Sequence, residues 1–370
     1  MRIQGAKLFK VSLPLNEPFR TSYGILEEKT FFLIKLVDEN GMAGYGELDA
    51  FLLPDYTEET LDTAAYIIRT ILLPGLKRKT LTKPSDVREL FSWIKGNEMA
   101  KAAIDSACYD LFAKRSRVSL AAYLGAKRRV VPVGVSIGIQ NSASELVSLV
   151  QKYVDEGYKR VKVKIKPGSD LEFLQAVRLN FPDLILMADA NSAYTRAETS
   201  LFQKMDELRL AMIEQPFGVR DLADHAFLQK QIRTPICLDE NIRSTADVFQ
   251  AHEFGSAKAI NLKMARVGGH TEALEITKFC KQNGLIVWCG GMFEAGVGRA
   301  HNLALAAREE FQFPGDISAT KRYFKHDIIK ENFELVDGEI EVPRGPGLGV
   351  QIDEKNLQRF TQAEWEILLG

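Results

Sequence analysis

Apolar and polar residues alternate along the first fifty positions, in "RIQGAKLFKVSL" and again in "TFFLIKLVDENGMAGYGEL". A period of two predicts antiparallel strands, and the "DENG" between Val37 and Met42 predicts a hairpin turn. From Thr57 to Ala113 the period lengthens to that of a helix. "TEETLDTAAYIIRTILL" opens on a Thr cap with acidic residues behind it, and "NEMAKAAIDSACYDLFAK" continues the pattern. Strands followed by a run of helices predict a small α+β domain.

From about Val130 the rhythm changes. Short apolar runs alternate with helical segments: "VPVGVSIGI", "RVKVKI", "LILMADAN", "AMIEQPF", "PICLDEN", "AKAINLK" and "LIVWCGG". Seven strands in βα alternation predict a parallel barrel or a doubly wound sheet. The first of them has no phosphate-binding glycine loop after it, which weighs against a dinucleotide fold. Beyond about Phe324 the alternation stops. "FELVDGEIEVPRGPGLGVQI" predicts a hairpin and "TQAEWEILLG" a short helix that packs back on the first domain.

In a βα barrel the chemistry sits at the C-terminal ends of the strands. Here those ends carry Asp189 and Asn191, then Glu214, then Asp239 and Glu240, then Lys263, then Gly290, Gly291 and Glu294. Asp189, Glu214 and Asp239 follow one another at 25-residue intervals (214 − 189, 239 − 214), one βα unit apart. Each alone could simply cap the helix that follows. Three carboxylates on one rim raise one another's pKa unless a cation joins them, and an all-oxygen set suits Mg²⁺ or Mn²⁺ better than zinc. Lys162 and Lys164 alternate on the strand before Asp189 and share a face, while Lys166 precedes "PG" and is expected in solvent. A metal and a neighbouring lysine would both oppose the charged form of Lys164 and fit it for general-base work. The bland alternative is a structural ion pair with a carboxylate. Metal, acids and two lysines, Lys164 and Lys263, suit removal of a proton beside a substrate carboxylate.

Composition narrows the class further. The chain has 370 residues, 46% of them hydrophobic and 26% charged, with a formal net charge of −1. That is the ordinary mix of a globular protein and offers no bulk field for nucleic acid or an anionic membrane. The Met1 to Lys10 segment lacks an apolar core long enough for a signal peptide, and no run approaches a membrane span. A cytoplasmic protein is therefore expected, with a small-molecule partner. Cys108, Cys237, Cys280 and Cys289 are scattered and read as buried free thiols. The five histidines show no ligand spacing, and Trp288 reads as core. Gly268 and Gly269 could cradle an anion at a helix start or simply form a tight turn.

"KVK", "DAN", "IEQP", "DEN" and "NLK", in that order on successive strands, resemble the muconate-lactonizing subgroup of the enolase superfamily. "ARVGG", "VWCGGMFEAGVGRAHNLALA" and "FPGDISATKRYFKHDII" are similar to the o-succinylbenzoate synthases of the Firmicutes type, whose relatives include N-succinylamino acid and other N-acylamino acid racemases. The resemblance covers essentially the whole chain, "PFRTSYG" and "FLLPDYTEET" included; only the Met264–Ala265 pair after Lys263 departs from the common pattern.

The resemblance implies an α/β fold: a modified TIM barrel, (β/α)₇β, with an α+β capping domain built from both termini. The corresponding boundaries are 1–128 for the cap, 129–324 for the barrel and 325–370 for the returning segment. It implies Mg²⁺ (or Mn²⁺) on Asp189, Glu214 and Asp239, with Asn191, Glu240 and Lys162 behind, and Lys164 and Lys263 as acid/base groups on opposite faces of the substrate. Ser136, Gly291 and Met292 would touch the substrate. Phe19 and Tyr23, in the first capping loop, would close over it together with the Phe51 to Tyr56 loop. Barrels of this type often assemble, so a homo-oligomer is expected. Three readings stay open: syn dehydration through an enediolate, racemisation of N-acylamino acids through the same enediolate, and a catalytically silent barrel.

Overall fold

A computed structural model describes residues 1–20 and 24–369. Strands β1 (Ile3–Arg20), β2 (Ile25–Asp38) and β3 (Ala43–Leu48) form an antiparallel sheet, with the expected turn at Asp38–Gly41. The fourth strand of that sheet is β13 (Thr361–Leu368), paired on the free edge of β1 from Gly5↔Leu368 to Val11↔Thr361. This corrects the expected C-terminal helix. Ala363, Trp365 and Ile367 alternate with exposed polar residues, the period-two pattern of a strand, and the Trp365 ring lies 5.6 Å from that of Phe32. An unpaired edge on β1 gives the tail a ladder that an isolated short helix would lack.

The helix Glu98–Arg115 packs across this sheet so closely that a side chain on Gly46 would strike the Ala103 carbonyl. Glycine at that position is what lets the two backbones touch.

The expected barrel is present. Seven parallel strands run in sheet order from β5 (Val135–Ile137) through β6 (Arg160–Lys164), β7 (Ile185–Asp189), β8 (Met212–Glu214), β9 (Ile236–Leu238) and β10 (Ala259–Leu262) to β11 (Ile286–Cys289). A short segment closes the circle between the first and last strands. Asp316 N donates to the Cys289 carbonyl at 2.9 Å, and Gly134 N donates to the Gly315 carbonyl at 2.7 Å. Met187, Met212, Cys237, Ala259 and Trp288 fill the interior beneath the rim as a small apolar cluster. The expected C-terminal hairpin is only partly one. Val336 and Glu339 bridge a tight turn, but β12 (Glu339–Glu341) then pairs with β4 (Val130–Pro132). Among the described residues no helix is long and apolar enough to cross a membrane. All four cysteines are free and buried.

Candidate active site

Register builds the site. Lys164 pairs with Asp189 across β6 and β7, and Asp189 pairs with Glu214 across β7 and β8. Three functional groups thus stand side by side on one rim. Asp239 lies just past β9 and Lys263 just past β10, on the far side of the same opening. A cavity of about 580 Å³ lies over this rim. The barrel lines it with Ser136, Lys162, Lys164, Asn191, Lys263, Gly291, Met292, Phe293 and Asp316, and the cap with Phe19, Lys29, Phe51 and Tyr56 among others. Every substrate contact expected from the sequence therefore falls on the cavity wall except Tyr23, which lies outside the described residues.

The two lysines mirror each other. Lys164 Nζ donates to Asp189 Oδ2 at 2.7 Å and to Asn191 Oδ1 at 2.6 Å. Lys263 Nζ donates to Asp239 Oδ2 at 2.9 Å and to the Tyr56 hydroxyl at 2.8 Å. Lys164 thus makes the ion pair of the bland reading and Lys263 makes its counterpart, yet each also reaches the cavity, with 11% and 9% of the side chain exposed.

Lys162 sits beneath Lys164 and is enclosed by three acids: Asp316 at 2.6 Å, Glu214 at 2.9 Å and Asp189 at 3.1 Å. Its ammonium also lies 5.0 Å from the centre of the Trp288 ring. Burial works against its charge, but Asp316, Glu214 and Asp189 outweigh burial and hold its pKa well above that of a free lysine. It is a fixed cation.

The carboxylates divide by partner. Burial opposes ionisation of all three. At Asp239 the charges of Arg266 and Lys263 overcome it, and at Asp189 those of Lys164 and Lys162 do so; both acids are held below the usual range. Glu214 differs: burial, with Asp189 beside it, pushes its carboxyl up to about 8. Glu240, buried and next to Asp239, rises to about 7. It accepts from Asn191 Nδ2 at 2.9 Å through one oxygen, and its other oxygen has no hydrogen-bond partner.

Among the described residues no three acidic, histidine or cysteine side chains stand ready as a ligand cage, because ammonium groups occupy the spaces between the acids. The donor set nevertheless fits a hard divalent cation. It is all oxygen, buried, and crowded enough that Glu214 resists ionising, which a nearby cation would reverse.

Sequence reasoning missed several groups. Arg266, inside "ARVGG", pairs with Asp239 and the Tyr56 hydroxyl. Asp316, inside "FPGD", pairs with Lys162 and with Arg160 at 2.7 Å. Both lie within the motifs that carry the resemblance, but neither sits at a regular strand end, where the βα period points. The Gly268–Gly269 turn adopts left-handed angles, and the helix start after it holds an anion of the chain's own: the Asp105 carboxylate faces the turn and accepts from Thr271.

Comparison with known proteins agrees with this architecture. Residues 3–125 match the mandelate racemase / muconate lactonizing enzyme N-terminal domain, and residues 145–356 match the enolase C-terminal domain-like family. An o-succinylbenzoate synthase of Listeria innocua is 56% identical over 370 residues, covering 100% of this chain and 99% of that protein. An N-succinylamino acid racemase of Thermus thermophilus is 44% identical over 361 residues, 98% of each chain. A crystal structure of an enolase-superfamily member from Listeria innocua superposes with a TM-score of 0.98 at 56% identity, covering 100% of both chains. The chain belongs to the enolase superfamily, with the N- and C-terminal domains of its mandelate racemase and muconate lactonizing branch.

Proposed function

We propose that this protein is an o-succinylbenzoate synthase. It would dehydrate 2-succinyl-6-hydroxy-2,4-cyclohexadiene-1-carboxylate to 2-succinylbenzoate, a step of menaquinone synthesis. The observation that carries the reading is the placement of two cavity-facing lysines, Lys164 at the end of β6 and Lys263 just past β10, with three strands between them in the barrel sheet and each beside its own carboxylate. Relatives of the same name at 42–56% identity support it.

Lys164 takes the proton alpha to the substrate carboxylate. The carbon–oxygen bond to the hydroxyl then breaks, Lys164 returns the proton to that oxygen on the same face, and water leaves. The ring becomes aromatic. Lys263 stays protonated, held by Asp239 and Tyr56, and steadies the enediolate by its charge. Lys162 keeps a fixed positive charge beneath Lys164. Asp189, Glu214 and Asp239 would hold Mg²⁺ or Mn²⁺, backed by Asn191 and Glu240, and the ion would supply positive charge to the substrate carboxylate. Phe19, Phe51 and Phe293 form an apolar wall that excludes water.

The same pair of lysines favours a second activity, racemisation of N-succinylamino acids, with one lysine removing and the other donating the proton. The racemase relative from Thermus thermophilus supports this. A cytoplasmic homo-oligomer is the expected form. The test is direct: purified protein is assayed with both substrates, before and after chelation. Turnover of neither substrate in the metal-loaded protein would end the proposal.

A further inference from the structure

The Gly291–Ala295 loop forms one wall of the cavity, and its conformation is costly. Phe293 has a φ of 59°. A phenylalanine holds that left-handed angle only where its surroundings impose it. The helix that follows, Gly296–Ala306, has no capping side chain of its own at Ala295.

The cap domain supplies what is missing. Glu47, on β3, is buried, and its carboxylate reaches across the domain boundary to this helix start. One oxygen accepts from Ala295 N at 2.6 Å and the other from Gly298 N at 2.8 Å. Glu294 lies alongside and accepts from Met292 N at 2.8 Å and Asn302 Nδ2 at 2.9 Å. A Cβ on Gly298 would stand 2.8 Å from Glu294 Cβ and 3.1 Å from Glu47 Cδ, so glycine there leaves room for both acids. Buried Lys29 sits among these acids and donates to the Asp49 carbonyl at 2.9 Å. Both oxygens of one buried carboxyl group thus accept from N–H groups at the helix start, a bidentate cap that holds although burial, with Asp49 beside it, pushes the Glu47 pKa well up.

We propose that Glu47 is a positioning residue for substrate binding: by capping the Gly296–Ala306 helix from the cap domain, it holds the Gly291–Phe293 wall against the cap loops. Glu47 bonds to Ala295 N and Gly298 N and not to Lys164, Lys263 or the rim acids, so its effect falls on binding and not on proton transfer. The kinetic part of this inference rests on the dehydratase reading; the structural part does not.

Two measurements on the full-length, metal-loaded protein test it. In Glu47→Ala, KM for the dehydratase substrate should rise about tenfold, the scale of the two buried hydrogen bonds lost at the helix start, while kcat stays within about twofold. Glu47→Gln keeps one acceptor and should fall between. Hydrogen exchange read by mass spectrometry should speed up across 291–298 in both variants. A fall in kcat at constant KM, or unchanged exchange in that segment, would overturn the proposal. Should Glu47→Ala fail to fold, Gly298→Ala displaces the carboxylate without removing it and must raise KM in the same direction. If the wild type turns over neither substrate, the functional reading falls, and the exchange comparison still decides the Glu47 cap.

Discussion

Lys263 and Tyr56 lie 207 positions apart, and the lysine ammonium donates to the tyrosine hydroxyl at 2.8 Å. One belongs to the barrel rim and the other to a loop of the cap. The same hydroxyl donates to both oxygens of Asp239 at 3.2 Å. The cap loop that carries Tyr56 therefore helps to orient the Lys263 ammonium through this bond. Tyr56→Phe removes only the oxygen. It should lower kcat about tenfold, with KM nearly unchanged, because one net hydrogen bond to a charged group is worth roughly 1.5–3 kcal/mol. Steady-state kinetics of the variant decide this, and a rise in KM alone would show that Tyr56 merely shapes the pocket.

The raised Glu214 carboxyl leads to a metal prediction. At about 8 it retains much of its proton at neutral pH, so Glu214→Gln costs the metal-free protein little. The melting temperature without metal should be equal or higher in the variant. Addition of Mg²⁺ should raise the melting point of the wild type, by linkage to the folded state, and leave the variant unmoved. Calorimetry with and without chelator reads both. Equal Mg²⁺ stabilisation of the two proteins would remove Glu214 from the ligand set.

Two buried histidines make the fold sensitive to acid. His270 Nε2 and His301 Nδ1 are 2.8 Å apart, and His301 Nε2 donates to the Tyr45 carbonyl of the cap at 2.9 Å. Burial pushes His301 down to about 4 and His270 well below its usual value. A depressed base favours folding above the unfolded pKa of about 6.5, and that contribution is lost as pH falls from there toward 4. For His301 alone it amounts to ~3 kcal/mol. Asp105 and Glu59, raised by burial to about 7, act in the opposite sense, losing stability as pH rises toward 7. The comparison with a variant isolates the histidines: in urea unfolding, the difference between pH 7.5 and pH 5 should shrink in His301→Gln. An undiminished difference would place the acid sensitivity elsewhere.

Much of the barrel was legible because five of its strands, β6 to β10, are apolar runs that stop at a charged residue, as in Met212–Glu214 or the 259–263 run. Regular spacing then placed Asp189, Glu214 and Asp239 on one rim before any coordinates. What escaped shares a different character. Glu47 acts across some 250 positions on a helix start, and Arg266 reaches Asp239 from a turn past the strand end, where no strand period points. The His270–His301 pair joins two helices at no ligand spacing, so periodicity could not single it out. The tail at Thr361–Leu368 carried a readable alternation, yet a period-two run of eight residues needs a free edge to become a strand, and that edge belongs to β1, some 350 positions earlier.

The two lysines can be told apart by isotope exchange. Each sits beside its own carboxylate and reaches the cavity, so on the proposed reading each would address one face of a bound carbon acid. Lys164→Ala and Lys263→Ala should both abolish racemisation and dehydration, but for different reasons. In dehydration Lys164 moves the proton and Lys263 supplies only charge. In racemisation both move protons. With a single enantiomer of an N-succinylamino acid in D₂O, Lys263→Ala should still exchange the alpha proton that faces Lys164, without inverting the centre. Lys164→Ala should exchange only the opposite enantiomer, through Lys263. The readout is loss of the alpha-proton NMR signal, followed for each enantiomer separately. Exchange of both enantiomers at the wild-type rate by both variants would mean that neither lysine is the base, and that Lys164 and Lys263 do no more at this rim than neutralise Asp189 and Asp239.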